Sequence, residues 1–246
     1  MKTKTLAALA LIAALGASPA WAAEVVSSNI VGYQKVELQP GFNFVAPQFT
    51  AVGGGAIDLQ SIKLDVADED ATGGDNIQIL DEGGGTVAQY YWLPPEASGA
   101  ETAGWFDENF DPAEVSVENG LSVLLESSDE LSVTVSGEVS PEDFTVASVA
   151  GFNFVGNASP VAIDIQDIKL GIADEEASGG DNIQILDDGG ATIAQYYWLP
   201  PEASGAEAAG WFDENFDAAE VELAPGQGFL IEASENDISI RMPSAL

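Results

Sequence analysis

Short runs in which apolar and polar residues alternate recur along most of the chain, and that period of two predicts β-strands. Ile30 to Leu38 is rich in β-branched and aromatic residues and stops at Gln39-Pro40-Gly41, a turn signal, before Phe42 to Val45 resumes. Ile57, Leu59, Ile62, Leu64 and Val66 alternate with a slip at Gln60-Ser61, which predicts a bulge or a short helical turn. Ile77 to Leu80 and Thr86 to Leu93 flank Asp81-Glu82-Gly83-Gly84-Gly85 and predict a hairpin with a Gly-rich connection. Leu121 to Leu125 and Leu131 to Val135 predict a further hairpin around Glu126 to Glu130. Gly228 to Ile231 and Ile238 to Met242 predict its equivalent near the end. No segment after residue 22 carries a sustained 3.6-residue stripe. Many short strands with Gly and Pro turns predict an all-β protein of sandwich or small-barrel type.

The same pattern occurs twice. Residues Gly73 to Asp111 and Gly179 to Asp217 match at a constant offset of 106 and differ at four positions, Glu82/Asp188, Gly85/Ala191, Val87/Ile193 and Thr102/Ala208. Outside that block the likeness is looser. Gly41-Phe42-Asn43-Phe44-Val45 recurs as Gly151-Phe152-Asn153-Phe154-Val155, and Ile57-Asp58-Leu59-Gln60 as Ile163-Asp164-Ile165-Gln166. The segment between these two motifs is four residues shorter in the second copy, the mark of a surface loop. The expected division is 1–22 signal peptide, 23–138 first β-sandwich-like module and 139–246 second. The boundary falls in the turn-forming, acidic stretch Ser136 to Glu142.

The first residues read as an export signal. Lys2 and Lys4 are a basic start, Leu6 to Leu15 an apolar run too short to span a bilayer, and Ala20-Trp21-Ala22 a cleavage site before Ala23. A secreted chain is therefore expected, at the cell surface, in the periplasm or released. It has no Cys, so its modules rest on their cores alone, and at roughly 100 residues each they are large enough for that.

Charge changes the picture most. There are 41 Asp and Glu against 6 Lys and Arg, a formal net charge of −35, and only Lys35, Lys63, Lys169 and Arg241 follow the signal segment. Such a surface repels nucleic acid and anionic membranes, and its self-repulsion is relieved by salt. It reads as an acidic, salt-adapted surface, with convergence of some carboxylates on divalent cations as the sharper alternative.

One resemblance rests on short motifs. Gly151-Phe152-Asn153-Phe154-Val155-Gly156-Asn157 and Pro225-Gly226-Gln227-Gly228-Phe229-Leu230-Ile231 are similar to the opening "GWNLVGNP" and closing "PGQGFxV" strands of a secreted β-sandwich module. That module is common in exported cell-surface proteins of Gram-negative bacteria. Ser28-Asn29-Ile30-Val31-Gly32-Tyr33 also resembles the start of uncharacterised secreted proteins of the verrucomicrobial and planctomycete kind. The first copy departs at its closing strand, where Glu118-Asn119-Gly120-Leu121-Ser122-Val123 replaces the Pro-Gly-Gln-Gly-Phe pattern. The resemblance implies a secreted β fold and brings no catalytic residues.

Candidate chemistry is sparse. The chain has no His, the commonest general base and metal ligand, and no GxSxG or SxxK motif for a nucleophile. Asp70-Ala71-Thr72-Gly73 lacks the spacing of an aspartic protease, and its counterpart is Glu176-Ala177-Ser178-Gly179. A carboxylate pair for glycoside hydrolysis is the remaining enzymatic alternative, with nothing to single out two residues.

For Ca²⁺, Asp68, Asp70 and Asp75 with Thr72 in the first copy, and Asp174, Glu176 and Asp181 with Ser178 in the second, form oxygen-rich loops with a Gly turn. Ile79 and Ile185 stand where an EF-hand places its Glu. A second run, Asp107, Asn109 and Asp111 with Glu118, has better spacing, but its counterpart ends at Ala224. For a carbohydrate or other polymer ligand the candidates are Tyr91, Trp92 and Trp105, with Tyr197, Trp198 and Trp211. Strand alternation sends Tyr91 to one face and Tyr90 and Trp92 to the other, and core packing is the competing role for these rings. The expectation is a non-catalytic structural or cell-surface interaction protein without membrane insertion, whose partner is a surface polymer or a second copy of itself. Carbohydrate binding and glycoside hydrolysis are the alternatives.

Overall fold

The computed structural model describes residues 30–66, 74–81, 84–171, 180–187 and 190–246. In the first copy the strands are β1 (Val31–Leu38), β2 (Gly41–Val45), β3 (Ile57–Asp58), β4 (Lys63–Leu64), β5 (Asn76–Leu80), β6 (Thr86–Leu93), β7 (Gly104–Phe106), β8 (Ser116–Val117), β9 (Val123–Ser127) and β10 (Leu131–Glu138). The second copy repeats them as β11 (Phe144–Ala147), β12 (Gly151–Gly156), β13 (Ile163–Asp164), β14 (Lys169–Leu170), β15 (Asn182–Leu186), β16 (Thr192–Leu199), β17 (Gly210–Phe212), β18 (Glu222–Leu223), β19 (Gly228–Ala233) and β20 (Ser239–Met242). All pairings are antiparallel. The protein is all-β, with two short helical turns per copy among the described residues.

Each copy has a five-stranded sheet in the order β2-β9-β5-β6-β7, or β12-β19-β15-β16-β17. It also has a three-stranded sheet, β1-β10-β4 or β11-β20-β14, and a two-stranded ribbon, β3-β8 or β13-β18. One core per copy is shared by these sheets. In the first, Leu38, Leu64, Val133 and Val135 of the three-stranded sheet meet Val45, Ile77, Trp92, Trp105, Val123 and Leu125 of the five-stranded one. Ile168, Leu170, Ile183, Trp198, Trp211, Phe229, Ile231, Ile240 and Met242 build the second in the same way.

The slip at Gln60-Ser61 is a one-turn 3₁₀ helix, Leu59–Ser61, opened by the Asp58 carboxylate accepting the Gln60 N–H; Asp164 and Gln166 repeat it. This turn lets Leu59 and Ile62 both enter the core although the count between them breaks the period of two. The β5–β6 hairpin is present, with a bulge between Ile79 and Leu80. Two short helices that apolar periodicity does not reveal, α1 (Pro95–Ser98) and α2 (Pro201–Ser204), begin with Pro at the first position and end on a left-handed Gly. That asymmetry is itself a helix signature.

The expected hairpin of residues 121–135 is not formed, and neither is its equivalent at 228–242. Both edges of β9 are taken by β2 and β5, so β10 has no place beside it and joins the other sheet instead. The chain crosses the core edge at Ser128, where the Asp75 carboxylate accepts both its N–H at 2.8 Å and its Oγ–H at 3.0 Å. β10 also runs through to Glu138, so the connection between the copies is only residues 139–143.

Candidate functional site

The indoles singled out for stacking are inside. Trp105 and Trp211 are 0 % exposed, Trp92 and Trp198 only 4 % and 3 %, so none offers a face to a sugar. In each copy the two rings meet edge to face with centroids 5.1 Å apart, a favoured aromatic geometry. Trp105 Nε1 donates to the Ile62 carbonyl and Trp211 Nε1 to that of Ile168, tying β7 and β17 across the core. Gln60 and Gln166 grip the same strands from outside. Each amide donates to the carbonyl and accepts from the N–H of its Trp, copying one rung of a sheet ladder. Of the six aromatic candidates, Tyr91 and Tyr197 alone are partly exposed.

Asp75 and Asp181 are equally structural. They are buried, and each fixes the first turn beyond a central strand through Oδ1, Asp75 at Ser128 and Asp181 at Ser234. Their own carbonyls accept the N–H of Trp92 and Trp198. The other four candidates for Ca²⁺, Asp68, Asp70, Asp174 and Glu176, lie outside the described residues. Among the described residues no group of three or more carboxylates is placed to hold a metal ion.

What the structure assembles instead is an amide-rich face on the five-stranded sheet, turned away from the core. Asn76 Nδ2 donates to Glu126 at 2.8 Å, while Asn76 Oδ1 accepts from Gln78 at 3.1 Å and from Gln89 at 2.9 Å. Thr86 closes the chain onto Gln78. Asn182, Glu232, Gln184 and Thr192 repeat the arrangement. Tyr91 pairs with Asn76 on one side and with Phe106 on the other, so its phenol joins this face. Period-two alternation from Asn76 through Gln78 was the available signal, hidden because each amide alone looks like any surface residue.

Beside this face, after β7, the chain turns sharply. Asp107 Oδ1 accepts the N–H of Asn109 at 2.8 Å and of Asp111 at 2.9 Å. Those N–H groups, that of Asp111 foremost, hold the Asp107 carboxyl below its ordinary value; Asp213 is lowered in the same way by Asp217 and Asn215. At neutral pH both turns are anionic. Phe110 and Phe216 ride on them at φ 65°, left-handed for a non-glycine residue, and are 57 % and 59 % exposed.

The two copies meet along a reciprocal seam. Ala46 N–H donates to the Gly226 carbonyl at 2.9 Å, and its equivalent Gly156 N–H to that of Gly120 at 3.0 Å. Within each copy, Gly120 N–H donates to the Pro47 carbonyl and Gly226 N–H to that of Asn157, which fixes the turns that the other copy's N–H groups meet. The bridges Val45↔Gln227 and Leu121↔Val155 are likewise equivalent under the duplication. These hydrogen bonds and bridges are made twice with the copies exchanged, the property of a two-fold interface. On the pseudo-axis Phe44 stacks on its own counterpart Phe154, centroids 5.7 Å apart and planes 17° off parallel. A groove flanks the stack on either side, one of about 320 Å³ and one of about 250 Å³. Leu121 and Ala147 line the first where Gln227 and Glu37 line the second, so the first groove is the more apolar of the two.

No helix among the described residues is long and apolar enough to cross a membrane. Comparison with protein-family models, with curated proteins and with solved structures gives no match.

Proposed function

We propose that this chain is a non-catalytic, exported structural or cell-surface interaction protein, two β-sandwich modules fused into one rigid acidic unit. The observation that carries the reading is the reciprocal seam. Backbone hydrogen bonds that cross between the copies, from Ala46 to Gly226, from Gly156 to Gly120 and from Ser122 to Phe154, hold them as a fixed pair together with the Phe44–Phe154 stack, so that two near-identical faces are presented at a set separation. Rigid display of repeated faces suits a protein that engages a repetitive partner, because linked sites raise avidity without any new contact. The apolar run at Leu6 to Leu15, the resemblance of the opening and closing strands to surface modules, and the absence of His all support export and a role without turnover.

The test is expression of the full chain with cell fractionation and N-terminal sequencing, beside a panel of glycoside, ester and peptide substrates. Recovery outside the cytoplasm with a new terminus at Ala23 and no turnover is expected. A turnover abolished by one Asp→Asn change would overturn the reading. A calcium role is part of the same proposal, through the side chains of Asp68, Asp70, Asp174 and Glu176. A melting temperature raised by Ca²⁺ beyond Mg²⁺ and NaCl at matched ionic strength supports it. An equal response to all three assigns the carboxylates to solvation alone.

A further inference from the structure

Going beyond the scaffold reading, we propose that each copy carries a cleft for an uncharged or amino-bearing saccharide, at the open edge of β6 and of β16. β7 pairs with Tyr91 to Leu93 and then ends at Phe106, which leaves the first half of β6 without a partner on that side among the described residues. Trp92 N–H points to the Asp75 carbonyl, on the β5 side. Backbone groups alternate along a strand, so those of Gln89 are turned toward the vacated edge. The bulge opposite Ile79 and Leu80 sets Val87 out of the ladder, and the residue is 63 % exposed. The Asp107–Asp111 turn stands beside this edge, and between strand and turn lies a cleft of about 320 Å³. Gln89, Tyr91, Asp107, Glu108 and Asn109 are among its lining residues.

Several chemistries can be excluded here. Fixed carboxylates in a chain of net charge −35 repel an acidic polymer. An incoming β-strand needs a regular edge, and the bulge together with the flanking turn denies it one. A hydroxyl-rich ring suits what remains: an aromatic surface, carboxylate and amide acceptors, and backbone donors that need no rearrangement. An amino group adds charge complementarity. The second copy repeats the residue types as Gln195, Tyr197, Asp213, Glu214 and Asn215, with Ile193 for Val87. Phe110 and Phe216, exposed and left-handed at the same turn in both copies, mark it as backbone strain of the sort found at ligand contacts.

The experiment is titration calorimetry of the full chain with cello-, manno-, chito- and chitosan oligosaccharides, with oligogalacturonate as the acidic control, in enough NaCl to screen long-range charge. Two sites per chain are expected for at least one uncharged or amino series and none for the acidic one. Tyr91→Ala removes one site, Tyr91→Ala with Tyr197→Ala removes both, and circular dichroism verifies that the variants fold. If the double variant loses its fold, resonance shifts of the Gln89 and Asn109 amides on adding sugar to the unaltered chain decide instead. Binding that survives the double variant, shifts elsewhere, or no binding in any series overturns the cleft. So does salt-promoted self-association abolished by Val87→Lys with Ile193→Lys, which assigns the edge to a second copy. The scaffold reading fails separately: binding accompanied by cleavage keeps the cleft and removes the non-catalytic role.

Discussion

The two copies share every strand pairing in their five-stranded sheets, yet they anchor the loop after the GFNFV strand by opposite means. In the first copy, residues 46–56 drop Phe49 into the core beneath Gly32 and Gly137, and Thr50 exchanges two backbone hydrogen bonds with Glu138. In the second the loop is four residues shorter and has no such ring. Asn157, 0 % exposed, holds it by donating to the carbonyls of Val161 and Leu223 and accepting from Ser159 N–H. The three-stranded sheets diverge as well: β1 pairs with β10 over eight residues, β11 with β20 over four. Their ion pairs arise from different strands, Lys35–Asp65 in one and Arg241–Asp143 in the other. One topology thus tolerates an apolar or a polar solution wherever the loop seals a core that the central strands already define.

The largest effect that separates the copies is expected at these anchors. Phe49→Ala should destabilise by about 3–5 kcal/mol, the usual range for emptying a buried Phe site. Asn157→Ala leaves three polar groups without their partner, and should destabilise by about 1–3 kcal/mol. Both are read as shifts of the midpoint in urea; equal losses would mean that the two loops do not work differently. Asp75→Ala and Asp181→Ala sharpen the comparison from the other side. Their environments coincide, so each should lose about 1.5–3 kcal/mol and by the same amount, hydrogen bonds to a charged group being removed in each.

A smaller difference lies at the seam. Gly84 and Gly190 occupy equivalent left-handed positions at φ 79° and 78°, but a Cβ on Gly84 would lie 2.7 Å from the Phe154 ring, and one on Gly190 3.6 Å from Phe44. Both Ala variants should lose about 1–2 kcal/mol from the backbone alone, with a further loss only at Gly84. That excess should disappear when Phe154→Ala is added, since the cycle then has no ring to clash with.

The smallest effect is in acid, where the copies should agree. Asp107 and Asp213 have folded pKa values below the ordinary 3.8, chiefly through the N–H groups of Asp111 and Asp217. A depressed carboxyl contributes stability above its unfolded value and loses it as pH falls through the folded one. In high salt the melting temperature should therefore hold down to about the ordinary value and decline below it, and Asp107→Asn with Asp213→Asn should blunt the decline. At low salt the same titration first raises the melting temperature, because protonation relieves repulsion among the 41 acidic residues.

By itself the sequence determined the elements and the duplication. Alternation located most of the longer strands, turn residues located the β5–β6 hairpin, and self-similarity located the two copies, because each of these is a local property of consecutive residues. It also determined the charge, which is a sum over residues and needs no fold. Which strands became neighbours was decided by the tertiary structure alone: 121–125 and 131–135 look like a hairpin, but β9 has both edges filled by distant strands. The roles of single residues followed from that choice. Trp92 and Trp105 became core because the three-stranded sheet covers them, Asp75 became a brace because β9 ends beside it, and Tyr91 shares a cleft with Asp107 because β7 stops one residue before the turn. Contacts between residues tens of positions apart carry no local periodicity, and only the folded chain brings them together.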